Sequence, residues 1–203
     1  MKALILVDIQ NDFLPGGNLP VSGGDAIIPV VNALIERFPL TALTQDWHPA
    51  GHLSFASAHA GKEPFEKIEL DGLEQILWPD HCIQGSVGAA FPESVDTNAA
   101  VAIFRKGMDP RVDSYSAFFD NGRRRRTGLA EWLKGMDVDS VCVAGLAAEV
   151  CVAYTARNAA ELGFATTVVE DGTRALSDDD FTRVREELSD LGVQFRKSTA
   201  LPD

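Results

Sequence analysis

The segment TQDWHPAGHLSF, residues 44–55, carries one aspartate and two histidines within seven positions, although the chain has only 4 histidines. Asp46 and His48 are two residues apart, so in an extended segment both side chains point the same way. His81 follows later, in WPDHC. Carboxylate and imidazole are ligands that Zn, Mn, Fe or Co accept, and three of them leave positions for water or substrate. The pattern therefore predicts a site for one divalent metal ion.

Chance clustering of histidines in a surface loop is the alternative to a metal site. His52 follows the turn after His48, whereas His59 has the surroundings of an ordinary loop residue. Cys82 is a ligand type next to His81, but adjacent chain positions rarely both reach one ion. The convergence of Asp46 and two histidines beside a predicted strand end favours the metal.

An acid, a cation and a thiol also stand at predicted strand ends. Asp8 follows the apolar run ALILV, Lys106 ends AVAIFRK, and Cys151 lies in the first turns of a predicted helix after SVCVAG. The N–H groups and dipole of a helix N-terminus favour a thiolate. Asp8 could accept the thiol proton and Lys106 could balance the charge, which is the arrangement of an activated nucleophile. Each residue also has a structural interpretation as turn former, solvated cation or core thiol, and the last fits Cys142.

The elements that must position these residues are short apolar runs alternating with helical patterns. We predict strands over residues 3–8, 40–45, 100–106, 140–145, 164–171 and 193–197. This alternation indicates a parallel sheet covered on both faces, in which ligands bind at the carboxyl ends of the strands. Two long connections, residues 46–98 and 107–126, are expected to be functional.

Amphipathic spacing predicts the helices between these strands. One starts at Asp25, one is capped by Thr127, one runs from the fourth strand to Leu162, and one is capped by Ser177. The side chains predicted to face inward in the capped helices are Leu129, Trp132, Leu133 and Met136, and Phe181, Val184, Leu188 and Leu191.

Composition excludes several classes of function. The formal net charge of -12 argues against binding to nucleic acid or anionic membrane, and the run Arg123 to Arg126 reads as a solvated corner. No apolar stretch is long enough for a membrane span or a signal peptide. Three cysteines without close pairing favour reduced thiols and a cytoplasmic location. Neither G-x-G-x-x-G nor G-x-x-x-x-G-K-[ST] occurs, so no nucleotide cofactor is expected. Residues 1–203 suit one domain.

The motifs VDIQNDFLPGG, TQDWHPAGHLSF, WPDHCIQGS, RKGMDPRVDSYSAFFDN and GLA-x-x-x-CV together resemble a known family. It is the nicotinamidase/pyrazinamidase group, the metal-dependent branch of the isochorismatase-like cysteine hydrolases. The likeness runs in order from Met1 to nearly the C-terminus. The D-W-H-P-x-x-H and W-P-x-H-C pieces mark this branch, because isochorismatases and N-carbamoylsarcosine amidases share the core but lack that pair.

The resemblance implies a three-layer α/β/α sandwich around a six-stranded, mainly parallel sheet, with the first and fourth predicted strands adjacent. It implies a catalytic triad of Asp8, Lys106 and Cys151. The implied metal is Zn, with Fe or Mn as alternatives. In the residue set that would bind it, His52 acts either as a direct ligand or through a neighbouring group, and Ser54 acts through water. That set is Asp46, His48, His81, His52 and Ser54.

The resemblance also implies how substrate is held. Phe13 and Trp78 match the residues that sandwich the substrate ring, with Tyr115 nearby. Leu146 is counted with this pocket, and the Leu146–Ala147 peptide matches a cis bond in the family. The N–H groups of Ala147 and Cys151 would form the oxyanion hole.

The implied reaction is deamidation of nicotinamide to nicotinate and ammonia through a thioester, in NAD salvage, with pyrazinamide as a further candidate substrate. One departure is Ala148-Glu149-Val150, where members usually carry Thr-Asp and then an aromatic or histidine residue. This departure puts the pocket shape in question. A cysteine amidase for another small amide or carbamoyl compound is one rival, and a silent relative that binds a pyridine ligand or a protein partner is the other. The oligomeric state, including a homo-oligomer, is left open.

Overall fold

The fold is built on one large sheet and a separate hairpin. The computed structural model describes residues 1–201, so the last two residues of the predicted domain lie outside the described part. Within it the strands are β1 Lys2–Val7, β2 Thr41–Asp46, β3 Lys67–Leu70, β4 Leu73–Ile76, β5 Ala102–Lys106, β6 Ser140–Leu146, β7 Ala165–Arg174 and β8 Gln194–Arg196. The α-helices are α1 Ile28–Arg37, α2 Leu129–Gly135, α3 Ala153–Glu161 and α4 Asp178–Asp190.

The large sheet has six strands in the order β5-β2-β1-β6-β7-β8, and every pairing in it is parallel. At its centre, Leu4 of β1 is in register with Thr41 of β2 on one side and Cys142 of β6 on the other. The residues of β1 and β2 are buried on both faces along nearly their whole length, as a parallel sheet requires. The predicted α/β fold and the adjacency of the first and fourth predicted strands are confirmed.

The strand order creates a switch point between β1 and β6. From β1 the chain steps outward to β2 and β5, and from β6 it steps the other way to β7 and β8. Right-handed crossovers in opposite directions place their connections on opposite faces of the sheet, which gives the three-layer α/β/α sandwich. The segments that follow β1 and β6 therefore leave toward opposite faces of the sheet and create a crevice beyond the strand ends, the usual ligand site of such sheets.

The hairpin β3–β4 was not predicted. It lies within the long connection after β2, and its strands pair antiparallel from Lys67 opposite Ile76 to Leu70 opposite Leu73. The two turn residues, Asp71 and Gly72, have φ of 52° and 78°. Asp-Gly between alternating apolar and polar residues is a strong hairpin signal, so the sequence did contain the information.

The predicted helices are present with shifted ends. A 3₁₀ turn, Gly24–Ile27, precedes α1, which begins with Pro29 in its first turn. The N-cap of α2 is Gly128, although the Thr127 hydroxyl accepts a hydrogen bond from Leu129 N at 3.1 Å. The inward orientation predicted for Met136 and Leu191 was wrong, because both lie just beyond a helix end, where helical periodicity no longer applies.

Two predictions about the surface and core agree with the structure. The side chains of Arg123 to Arg126 are exposed, and each pairs with a carboxylate of a different residue, namely Glu161, Asp71, Asp109 and Glu131. They form a solvated, charge-balanced corner. Cys142 is buried within β6. Across the described residues, the helices are too short or too polar to cross a bilayer.

Candidate active site

The ammonium of Lys106 stands at the centre of a buried cluster at the carboxyl edge of the sheet. Its Nζ lies 2.8 Å from Asp8 Oδ2, 3.1 Å from Asp46 Oδ1 and 3.6 Å from Cys151 Sγ. It also donates to the carbonyl of Ser114 at 2.7 Å. Burial lowers the pKa of Lys106, but the charges of the two aspartates outweigh burial and hold it well above its usual range. The lysine is therefore charged, and it joins three residues that come from the segment after β1, from β2 and from the segment after β6.

Asp8 is oriented by the neighbouring strand β2. Its φ of 48° ends the extended conformation of β1, and the Thr44 hydroxyl donates to Asp8 Oδ1 at 2.6 Å. The same hydroxyl oxygen accepts from Asp8 N at 3.2 Å. Burial raises the pKa of Asp8, with Lys106 opposing and Asp46 reinforcing the rise. A carboxylate with a raised pKa is a better proton acceptor than an ordinary aspartate.

Cys151 lies in a π turn, Ala148–Val152, that directly precedes α3. Contrary to expectation, the surroundings do not favour a resting thiolate. Burial raises the pKa of the Cys151 thiol well above its usual range; Lys106 lowers it, while three nearby carboxylates raise it further. Burial and negative charge oppose the effect of the helix terminus invoked from sequence, so the thiol needs a base to form the thiolate.

Asp46, His48 and His81 bring one ligand atom each within 4.8 Å of one another. The Nδ1 of His48 lies 2.9 Å from the Gly107 carbonyl, and the Nδ1 of His81 lies 2.8 Å from the Pro79 carbonyl. A carbonyl only accepts, so each Nδ1 carries hydrogen and each Nε2 presents a lone pair in the neutral ring. Both rings are thus held in the tautomer that a metal ion needs.

His52 has the opposite tautomer. Its Nδ1 accepts a hydrogen bond from Ser54 N at 3.0 Å, which places the hydrogen of the neutral ring on Nε2. An Nε2–H group is a donor and cannot ligate a metal, so the hydrogen bonding favours an action of His52 through water. Ser54 Oγ is buried and has no hydrogen-bond partner within residues 1–201, which suits contact with water as well.

Loop pairing brings the histidines together. An isolated bridge pairs His48 with Ile83, and the Cys82 N–H donates to Asp12 Oδ2 at 2.7 Å. Cys82 is therefore a structural residue beside His81 and not one of the clustered ligands. Gly107 has a φ of 66°, and a Cβ there would lie 2.8 Å from Asp46 Oδ1, so only glycine permits this approach.

The charge balance of the cluster fits a divalent cation. Asp8, Asp46 and Asp113 are buried with the single lysine, and Asp113 Oδ1 lies 4.0 Å from His48 Nε2. His48 Nε2, which is 3.2 Å from Asp46 Oδ2, makes no hydrogen bond within the described chain. Buried charges require compensation, and two imidazoles with a carboxylate are a donor set that a divalent metal accepts.

A cavity opens beside Cys151. Its lining includes Phe13, Leu19, Asp46, Trp78, His81, Asp113, Tyr115, Ala147, Val150 and Leu176. An isolated bridge between Phe55 and Trp78 holds the Trp78 segment in place, and the indole N–H of Trp78 donates to the Tyr115 hydroxyl at 3.2 Å. Aromatic rings, a thiol and the metal-type cluster therefore meet in one apolar cavity that suits a flat aromatic amide.

The chain matches the model of the isochorismatase domain over residues 2–199. It belongs to the isochorismatase-domain family. Nicotinamidase of Escherichia coli (strain K12) is 48% identical over 87% of this chain and 84% of the relative. The solved nicotinamidase and pyrazinamidase of Acinetobacter baumanii is 44% identical, with a TM-score of 0.96 over 99% of this chain and 98% of that one. A pyrazinamidase of Pyrococcus horikoshii solved in complex with zinc is 35% identical, with a TM-score of 0.77 over 97% and 98%.

In this isochorismatase-domain protein, one predicted pocket residue lies elsewhere. Leu146 is fully buried in the core, where a Cβ on Gly24 would be 3.3 Å from its Cδ1. The neighbouring Ala147 lines the cavity instead, and the Leu146–Ala147 peptide is cis. Leu146 belongs to the hydrophobic core, and the leucines at the cavity are Leu19 and Leu176.

Several site residues were not singled out from sequence. Gln75 is buried in the unpredicted hairpin, and its Nε2 lies 3.1 Å from the Tyr115 hydroxyl and 3.3 Å from Asp113 Oδ2. Leu176 belongs to the loop after β7, far from any motif. The Asp-Gly turn could have revealed the hairpin, but no local pattern reveals that Leu176 reaches the cavity.

Proposed function

We propose that this chain hydrolyses nicotinamide to nicotinate and ammonia through a thioester on Cys151, a reaction of NAD salvage. The observation that carries the proposal is the contact of one buried ammonium, that of Lys106, with Asp8, Asp46 and the Cys151 thiol. The same ammonium thus contacts the proposed base, the proposed nucleophile and one of the proposed metal ligands. The substrate follows from the relatives, which are named nicotinamidases and pyrazinamidases.

Acylation begins with transfer of the Cys151 proton to Asp8. The raised pKa of Asp8 suits a base for a thiol whose own pKa burial has raised. Lys106 holds the two groups in register and balances the negative charge as it moves from oxygen to sulfur. The thiolate attacks the carboxamide carbon, and protonated Asp8 gives its proton to the departing ammonia.

In deacylation, Asp8 again acts first as a base and then as an acid. Asp8, ionised again, takes a proton from water as the water oxygen attacks the thioester carbon, and the released thiolate recovers the proton. The backbone N–H groups of Ala147 and Cys151 stabilise the oxyanion in both halves of the reaction. The sum is one amide and one water converted to one acid and one ammonia, with Cys151 restored.

Asp46, His48 and His81 would hold the divalent metal, with His52 and Ser54 acting through water. A metal bound there would supply a Lewis acid that could orient the substrate ring and withdraw electron density from it. Zinc is the proposed ion, supported by the zinc complex of the Pyrococcus horikoshii relative and by the donor set.

Phe13 and Trp78 enclose the substrate ring, with Tyr115 fixing the indole through its hydroxyl. The ring carries one nitrogen toward the metal residues and its carboxamide toward Cys151. Pyrazinamide has the same carboxamide on a ring of the same size, so it is the proposed second substrate. The proposed location is the cytoplasm, where the free thiol would stay reduced.

A cysteine-exchange experiment tests the proposal. Cys151→Ala removes the nucleophile and is expected to reduce ammonia release from nicotinamide by at least about 1,000-fold. The Kd for nicotinamide, measured by calorimetry, should change by no more than about threefold, because ring contacts remain. Cys142→Ala, a change at a cysteine inside β6, is the matched control and should keep the activity of the wild type. Undiminished turnover in the first variant, or release of ammonia only from other amides by the wild type, would overturn the assignment.

A further inference from the structure

Glu149 links the nucleophile's turn to a distant loop. It lies in the π turn two residues before Cys151 and is half-buried. Its Oε1 accepts a hydrogen bond from Ser177 N at 2.8 Å, and its Oε2 accepts one from Leu176 N at 3.2 Å. Both carboxylate oxygens are thus occupied by backbone donors that lie 27 and 28 positions further along the chain.

The loop held by Glu149 forms part of the substrate cavity. It joins the end of β7 at Arg174 to the start of α4 at Asp178, and Leu176 lines the cavity beside Cys151. Val150, the residue after Glu149, lines the same cavity. One carboxylate therefore fixes the spacing between two apolar side chains of the cavity wall.

Helix capping does not account for these bonds. The N-cap of α4 is Ser177, whose own hydroxyl oxygen accepts from Asp180 N at 3.2 Å. The N–H groups that Glu149 accepts belong to the N-cap residue and the residue before it, outside the helix. Burial raises the pKa of Glu149, and the backbone donors lower it in part. The carboxylate is thus partly desolvated in order to hold the loop.

We propose that Glu149 is a positioning residue that fixes the Leu176 wall against the nucleophile's turn and thereby limits the ring substituents that the cavity admits. The inference rests on the proposed hydrolysis of nicotinamide and names the determinant of its ring selectivity. While the two hydrogen bonds to Glu149 hold the loop, Leu176 cannot move away to admit a bulkier ring. Without these hydrogen bonds, the loop can shift and the cavity can widen.

The test uses Glu149→Gln and Glu149→Ala in the full chain. The glutamine keeps the shape but turns an NH₂ group toward one of the two N–H donors, and the alanine removes both acceptors. For nicotinamide we expect KM to rise about tenfold in the alanine variant and less in the glutamine variant, with kcat within about twofold. The ratio of kcat/KM for 5-methylnicotinamide to that for nicotinamide should rise about tenfold, the effect of one methyl group in a tight apolar pocket.

Glu187→Gln is the matched control. Glu187 lies on α4 and forms an ion pair with Arg157 of α3 at 2.7 Å. Its substitution therefore weakens a contact between the two helices but does not alter the loop that carries Leu176. Neither KM nor the selectivity ratio should change in this variant. Thermal melting of all three variants shows whether they are folded. If the alanine variant is not folded, the isosteric Glu149→Gln variant alone provides the test.

Three results would overturn the inference. An unchanged selectivity ratio in a folded Glu149→Gln protein means that the loop does not set ring size. An equal loss of kcat on both amides means that Glu149 supports the nucleophile and not the wall. A wild type that hydrolyses both amides equally well has no such limit. In each case nicotinamide hydrolysis stands, whereas a wild type that neither binds nor hydrolyses nicotinamide removes the proposed function as well.

Discussion

The two sides of the cavity are built in different ways. The catalytic edge, formed by Asp8, Asp46, Lys106 and Cys151, is buried and tied to the ends of adjacent parallel strands. The outer wall, formed by Trp78, Tyr115, Val150 and Leu176, comes from loops and from the π turn. It is held by side-chain hydrogen bonds, among them one from Gln75 of the hairpin to Tyr115. Strand ends fix the reacting groups, whereas the wall depends on a few polar contacts that substitution can change. Chemistry and selectivity are therefore separable in this fold.

The largest effect is expected at the centre of the catalytic edge. Lys106→Met removes the cation that Asp8 and Asp46 share, and both carboxylates stay buried without their partner. We expect at least about a 1,000-fold loss of ammonia release, together with a loss of about 3–5 kcal/mol of unfolding free energy. Urea denaturation and an ammonia assay measure the two quantities.

Arg105→Met is the control for this change. Arg105 neighbours Lys106 but is exposed, with its guanidinium 4.0 Å above the Trp47 ring and its Nε donating to Gln45 at 3.0 Å. Its loss should cost no more than about 1 kcal/mol and leave turnover intact. If the two variants lose similar amounts of activity and stability, the catalytic edge is no more sensitive to substitution than the surface beside it. That result would contradict the proposed difference between the two sides of the cavity.

A second test distinguishes a histidine that ligates the metal directly from one that supports the site through water. His48→Ala removes one of the three clustered ligand side chains, so purified protein should lose most of its bound metal. His52→Ala removes a donor, and the protein should keep about one ion per chain with roughly 10- to 100-fold weaker affinity. Elemental analysis and competition with a chelator provide the measurements. Equal metal loss in the two variants would show that His52 ligates directly.

The smallest effect is expected at the outer wall. Gln75→Met keeps the side-chain length but removes the donor that faces Tyr115 and Asp113. We expect the KM for nicotinamide to rise about three- to tenfold with kcat little changed, because only ring positioning is affected. Gln194→Met, on the exposed far edge of the sheet, should alter neither constant. A large loss of kcat in the first variant would place Gln75 with the catalytic edge.

The contrast also explains how much could be predicted from sequence. Continuous aliphatic runs reveal parallel strands, and topology then places Asp8, Asp46 and Lys106 at one edge without further information. The state of the Cys151 thiol could not be inferred in this way, because it depends on burial and on charges brought from four segments. Nor could the position of Leu176, since the bonds that hold its loop span 27 residues or more.

The pairing of β1 has a consequence for how the chain is made. Lys2 to Val7 must pair with Ser140 to Gly145, so the central strand lacks one neighbour until residues 140–145 have left the ribosome. At ordinary rates of synthesis that interval is on the order of ten seconds. During it a bare aliphatic strand, already joined on one side by β2, is open to pairing with other nascent chains. Chaperone demand should therefore be concentrated in the interval before residues 140–145 emerge.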